Sequence, residues 1–254
     1  MNRRAFIKRG ALFVPTIWVP SVVSAMNPAF LGSFKKPVSG GGGAFTYSAG
    51  VHATANSTSS ATTSGINTTG VNLIVIEANW FSGSLTISDS KGNTWTASGS
   101  PLTQFQGSLG RYTTRFYYCV NPTVGTGHTF TGAASFVVIN VMTFTKSSGT
   151  PTFDVQNGLN YTSANTTTIQ SGSVAPAGNN ELFILGTCFN NTGTTPLPVT
   201  ADSSFISSDQ SQQGTNNLYG AAWYKIQTTG GAENPTMTFA FTIDEASAAI
   251  ATFK

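Results

Sequence analysis

Residues 72–81 read "NLIVIEANWF", and residues 181–190 read "ELFILGTCFN", the same pattern 109 positions later. Leu73-Ile74-Val75-Ile76 is a continuous apolar run, rich in β-branched side chains and bounded by polar residues. That pattern is a strand covered on both faces, since a half-exposed strand alternates polar and apolar. The neighbourhood repeats with it. "RFYYCV" (115–120) returns as "AAWYKI" (221–226), shifted by 106, and "NVMTFT" (140–145) returns at the C-terminus, with Val141 over Ile250 and Phe144 over Phe253, shifted by 109. Three matches in one order at nearly one offset define a duplication, with a period longer than that of solenoids or propellers.

No stretch after the first 43 residues carries a helical period, while strand signals recur. "SLTISDSKGNTWTAS" (84–98) reads as a hairpin. Leu85 and Ile87 point inward, Asp89 caps a turn that ends at Asn93, Trp95 returns, and Gly92 and Asn93 supply the positive φ such turns need. "TRFYYCV" (114–120) and "FVVINVMTFT" (136–145) are further strands. Charged residues are only 8% of the chain, against the roughly 25% of ordinary soluble proteins, with Thr, Ser, Asn and Gly in their place. The expected fold is all-β: one antiparallel β-sandwich domain over 44–254, jelly-roll or concanavalin-like. Its two pseudo-repeated halves, about 66–146 and 175–254, are each too small to bury both strand faces alone. Two separate small domains are the alternative.

The N-terminus has a different character. Arg3 and Arg4 precede Phe6 and Lys8, an apolar run of about fifteen residues follows Arg9, and Val23-Ser24-Ala25 closes it. The run is shorter than the roughly 20 residues of a membrane-spanning helix, and Pro15 and Pro20 interrupt it. Basic start, short apolar middle and small-residue exit make a secretory signal over 1–25, cleaved after Ala25. Asn2-Arg3-Arg4-Ala5-Phe6-Ile7-Lys8 resembles the twin-arginine export signal of bacteria, which is read by a receptor and is not an anchor. That resemblance implies the twin-arginine translocation machinery as a partner, and a periplasmic, cell-surface or extracellular location. Residues 26–43 end in Gly40 to Gly43 and read as a flexible tail. Four of the 12 basic residues lie in the signal, so the mature chain has eight against nine acidic ones, a net of −1. It has no basic field for nucleic acid or an anionic membrane.

Leu73–Ile76 ending in Trp80, then "ISDSKGNTWT", "RFYYCVNP" and "VMTFT", resemble a group of secreted bacterial β-sandwich domains. Those domains share an apolar strand ending in Trp, a "DSAGNTYT"-like hairpin, a "WYLLNP"-like strand and a closing "AALEYSG"-like strand, in a doubled unit. The resemblance covers about 65–254 and implies a place in cell-surface or phage-associated proteins. It carries no catalytic residues across.

Reactive constellations are scarce. His52 and His128 read as exposed loop polarity, and no G-x-S-x-G elbow accompanies either. Among the carboxylates, Glu77 stands in an apolar strand; a strand-end or solvent-facing side chain is the preferred reading, an inward one with a shifted pKa the other. Asp244 and Glu245 are the candidate Ca²⁺ ligands, without a D-x-D-x-D-G loop; no other cofactor is expected. Cys119 and Cys188 read as buried free thiols in preference to a disulfide. Sugar-binding faces use exposed aromatic rings, and Trp80, Trp95, Tyr112, Tyr117, Tyr219 and Trp223 are available. Tyr117 and Trp223 share a repeat position and read as core, whereas Trp80 and Tyr112 lie near strand ends and are the candidate ligand platforms. The expected function is a non-enzymatic binding or surface-structural module that meets a glycan, a cell-envelope component or a surface protein. The alternatives are a phage or virion accessory protein and a carboxylate-dependent hydrolase.

Overall fold

The computed structural model describes residues 43–254 except 57–59, 107–109, 163–164, 177, 191–198, 203 and 214–217. The export signal, its cleavage site and nearly all of the tail therefore lie outside the described residues. The described chain is all strand, turn and bridge, and no helix in it is long and apolar enough to cross a membrane.

The first half holds β1 (Phe45–Ala55), β2 (Ser60–Thr62), β3 (Leu73–Phe81), β4 (Thr86–Asp89), β5 (Thr96–Ala97), β6 (Leu102–Gln106), β7 (Gly110–Val120), β8 (Phe130–Ala133) and β9 (Val137–Lys146). The second holds β10 (Phe153–Tyr161), β11 (Thr166–Gln170), β12 (Glu181–Asn190), β13 (Val199–Ala201), β14 (Ile206–Gln213), β15 (Leu218–Gln227), β16 (Thr236–Ile243) and β17 (Ala246–Phe253). Each half has a large antiparallel sheet, ordered β1-β9-β3-β7-β5 (β6 also on β7) or β10-β17-β12-β15-β14. Each also has a small sheet, β2-β8-β4 or β11-β16-β13. The two halves keep one register. Ile76 pairs with Tyr117 and Val141, and Leu185 pairs with Trp223 and Ile250, which are the residues the sequence offsets superpose.

The layers stack as small, large, large, small. Ile74, Ile76 and Trp80 on one face of β3 pack with Ala61, Ile87 and Phe130 of the small sheet. Leu73 and Val75, on its other face, pack with Leu182, Ile184, Ala249 and Phe253 of the second half. Phe183, Leu185 and Phe189 turn the opposite face of β12 to Ile169, Met237 and Phe239. Both faces of β3 and β12 are thus covered, which is why neither sequence alternates. The structural repeat begins earlier than the expected 66 and 175, at β1 and β10. The edge strands there alternate weakly, and only their pairing with β9 and β17 reveals them.

The stretch 84–98 is not a hairpin. β4 pairs with β8 and β5 with β7, so the chain crosses from the small sheet to the large one. The turn between them is capped as expected, with the Asp89 carboxylate accepting the Lys91 amide N–H at 2.7 Å and Gly92 at φ 73°, but Asn93 does not take the positive φ expected of it.

The halves meet about a pseudo-two-fold axis between the large sheets. Glu77 lies against its own repeat equivalent, Gly186, and Val138 lies over Gly220. Thr114 Oγ1 is 2.6 Å from Ser247 Oγ, which is the reciprocal of the Val138–Gly220 contact. Two aromatic triads flank the axis. Tyr47 stacks on Tyr224 at 4.6 Å and 8° while Phe144 meets both edge-on. Their equivalents Phe153 and Tyr118 stack at 5.6 Å and 8°, with Phe253 edge-on to both. This is the reciprocity of an isologous dimer interface, built here within one chain.

Candidate functional site

The rings expected on the surface are inside. Trp80 is 5% and Tyr112 1% exposed. The Trp80 indole N–H donates to the Gly83 carbonyl at 3.1 Å, and Tyr112 meets Phe81 edge-on at 5.1 Å. Strand-end position implied exposure. Here an outer sheet covers Trp80, and Tyr112 packs with Val138, Cys188 and Leu218 between the halves. Neither offers a face to a sugar. Trp223 and Tyr219 are core as well, while Tyr117 and Trp95 are half-buried. Cys119 and Cys188 are buried free thiols.

Both histidines have carboxylate partners, and only one is exposed. His128 is fully buried, not on a loop surface. Its Nε2 lies 3.1 Å from Asp89 Oδ1, its Nδ1 lies 3.0 Å from Thr68 Oγ1, and its ring stacks on Phe130. Trp95 donates its indole N–H to the other Asp89 oxygen at 2.8 Å. Burial raises the Asp89 pKa, and the Lys91, Trp95, His128 and Asn93 hydrogen bonds outweigh it, leaving the carboxyl below its ordinary value. Thr68, His128 and Asp89 are in triad order, but Thr68 Oγ1 is closed off by the Gly125 carbonyl and amide. This constellation ties the turns together at one end of the first half.

Glu77 is also inside, against the preferred reading. Its oxygens accept the amide N–H groups of Asn79 at 2.6 Å and Asn140 at 2.8 Å. Thr114 Oγ1 donates to Asn79 Oδ1 at 2.8 Å, extending this polar cluster to Ser247. Burial pushes the Glu77 carboxyl up to about 8, against the pull of the two amides. Asp244 is exposed and Glu245 half-buried, with the Glu245 pKa raised by burial and then by Asp244. Among the described residues, no group of three or more His, Cys, Asp or Glu is gathered for a metal.

The site that stands out lies where the pseudo-symmetry fails. On one flank of the large-sheet interface, β1 reaches β14. His52 Nδ1, on a ring 47% exposed, meets Asp209 Oδ2 at 2.7 Å, and Tyr47 Oη lies 3.4 Å from Ser208 Oγ. On the other flank, Gly158 stands where His52 does and pairs with Ala249 as His52 pairs with Asn140. Ser98 stands where Asp209 does, its amide bonded to Phe116 as Asp209 pairs with Ala222. No bridge forms there. A Cβ on Gly158 would overlap Leu102, which takes part of the vacated space and lines what remains of it. Between Ser98 and Leu102 the chain leaves the edge of β7, and Gly99 takes φ 38° with the Gln156 amide packed on its Cα. The result is a cleft of about 320 Å³, floored by Thr114, Phe116 and Ala249 and walled by Ser98, Ser100, Arg115, Gln156 and Asn157. Its volume is at the small end of the roughly 300–1,000 Å³ of ligand sites.

The sequence reading missed every wall residue of this cleft. One signal was available: with β1 set over β10 at the offset of 106, His52 falls on Gly158. The chain matches no protein-family model, no curated protein and no solved structure.

Proposed function

We propose that the mature chain is an exported, non-enzymatic binding module. It holds a hydroxylated ligand, a glycan or glycan-bearing envelope component, in the cleft between Ser98–Leu102 and β10. One observation carries this reading. A duplicated fold that keeps register and aromatic contacts across both halves abandons its symmetry at this place, and the lining there sets the hydroxyls of Ser98, Ser100 and Thr114 and the amides of Gln156 and Asn157 beside Leu102 and Phe116. Such groups can satisfy sugar hydroxyls, and few are needed to orient a small ligand. The resemblance to secreted β-sandwich domains agrees with a surface role.

A glycan array probed with residues 26–254, with and without Ca²⁺, tests it. Selective binding is expected, lost in Gln156→Ala and kept in Trp80→Phe, whose ring is buried elsewhere. A blank array with folded protein overturns the reading. The export route has its own test. With Arg3 and Arg4 both changed to Lys, precursor is expected to accumulate in the cytoplasm of a host with twin-arginine machinery, and unchanged export refutes that route.

A further inference from the structure

We propose that the cleft selects an N-acetylated amino sugar and takes its acetamido group into the space left by the missing bridge. This rests on the binding reading above and narrows its ligand class. The intact flank shows what such a position accommodates: a planar imidazole reaches across, and its Nδ1 meets the Asp209 carboxylate. In the cleft Gly158 leaves the imidazole's place open, and Ser98 sets a hydroxyl where that carboxylate stands. Ser98 is 3% exposed, yet its hydroxyl has no hydrogen-bond partner among the described residues, and the Gln156 side-chain amide has none there either. A hydroxyl and a primary amide can each donate and accept. The N–H and C=O of a trans acetamido group point in opposite directions, so it takes one partner from each wall, Ser98 on one side and Gln156 on the other. Leu102, Phe116 and Ala249 supply the apolar part of the lining, and Phe116 is only 1% and Ala249 5% exposed. They present no open aromatic face on which a sugar ring could stack, but a small apolar patch that one methyl group covers. The cleft also carries no free charge. Its lining holds no carboxylate, and Arg115 gives its donors to the Ser98 and Gly99 carbonyls and lies over the Tyr117 ring, on the face of β7 opposite Thr114 and Phe116. A charged substituent would lose water there and find no counter-charge, which favours the neutral acetamido group over a free amine or a carboxylate.

The test is calorimetric titration of residues 26–254 with three β-1,4-linked tetrasaccharides that differ only at the second carbon: those of N-acetylglucosamine, of glucose and of glucosamine. The N-acetylated form is expected to bind about ten- to hundredfold more tightly than either of the others, the scale of one buried methyl and one or two hydrogen bonds. This comparison needs no variant. Ser98→Ala is expected to lower the preference about three- to tenfold, the scale of one neutral hydrogen bond, with unchanged folding checked by circular dichroism. Equal binding of the N-acetylated and glucose forms, or tighter binding of the glucose or glucosamine form, overturns the acetamido class while the glycan reading stands. Where none of the three binds, array hits on other N-acetylated sugars uphold the class and hits only on sugars without that group overturn it. A blank array defeats the glycan reading itself.

Discussion

Between pH 5 and pH 8 the protein is expected to lose stability steadily, and Glu77→Gln is expected to remove the larger part of that loss. Glu77 is fully buried between the two large sheets, and burial raises its carboxyl from an ordinary 4.5 to about 8. The folded state therefore holds a proton that the unfolded chain releases. The stability this provides is complete below pH 4.5 and falls by about 1.4 kcal/mol per pH unit up to the folded value. Across the full gap the loss reaches up to about 5 kcal/mol. Glu181 adds to it with the same sign: burial and Asp154 push it up to about 7, against the pull of Lys254. Asp89 acts oppositely, since its folded value is lowered, but its contribution is lost only in more acidic solution. The Cys188 thiol is raised well above its ordinary value by burial and then by Glu77, and it titrates above this window. Urea denaturation at each half pH unit reads the slope. A wild-type curve that is flat, or that rises towards pH 8, refutes the buried protonated carboxyl.

Much of this fold could be read from side-chain type alone. The central strands β3, β7, β9 and their copies were legible because their apolar runs are long and the duplication superposes Ile76 on Leu185 and Val141 on Ile250. The polar interior was not. Glu77, Asn79, Thr114 and Asn140 look like surface residues when a sandwich is assumed to have two layers, because only a second large sheet makes their face an interior. Trp80 and Tyr112 read as exposed because they lie near strand ends, and strand ends here are covered by the outer sheet and by the second half. The cleft was illegible for another reason. It arises from an absent bridge, and a glycine in place of a histidine signals a cavity only once the opposing strand is known.

The asymmetry of the central interface predicts the effect of filling it. Around the axis the first half presents Phe116, Glu77, Asn140, Asn79 and Val138, and the second half presents their equivalents Ala222, Gly186, Ala249, Cys188 and Ser247. Large side chains of one copy thus enter the space left by small ones of the other. At the axis itself each residue meets its own equivalent, so two glutamates there would set like charges in contact inside the protein, and Gly186 avoids that. A Cβ on Gly186 would lie 2.5 Å from Glu77 Cγ and 3.1 Å from the Phe116 ring. Glycine in a strand ordinarily costs roughly 0.5–1 kcal/mol against alanine, so Gly186→Ala would be stabilising if space allowed. With the overlap, Gly186→Ala is expected to destabilise by about 2 kcal/mol and Gly186→Val by about 3 kcal/mol or more, the range of overpacked cores. The overlap also predicts coupling. In a Glu77→Ala background, Cγ is gone and Gly186→Ala fills part of the cavity, so its cost is expected to vanish or reverse sign. Costs that simply add in the double variant would show that Glu77 does not occupy the space over Gly186, and the packing of the two halves about this axis would be wrong.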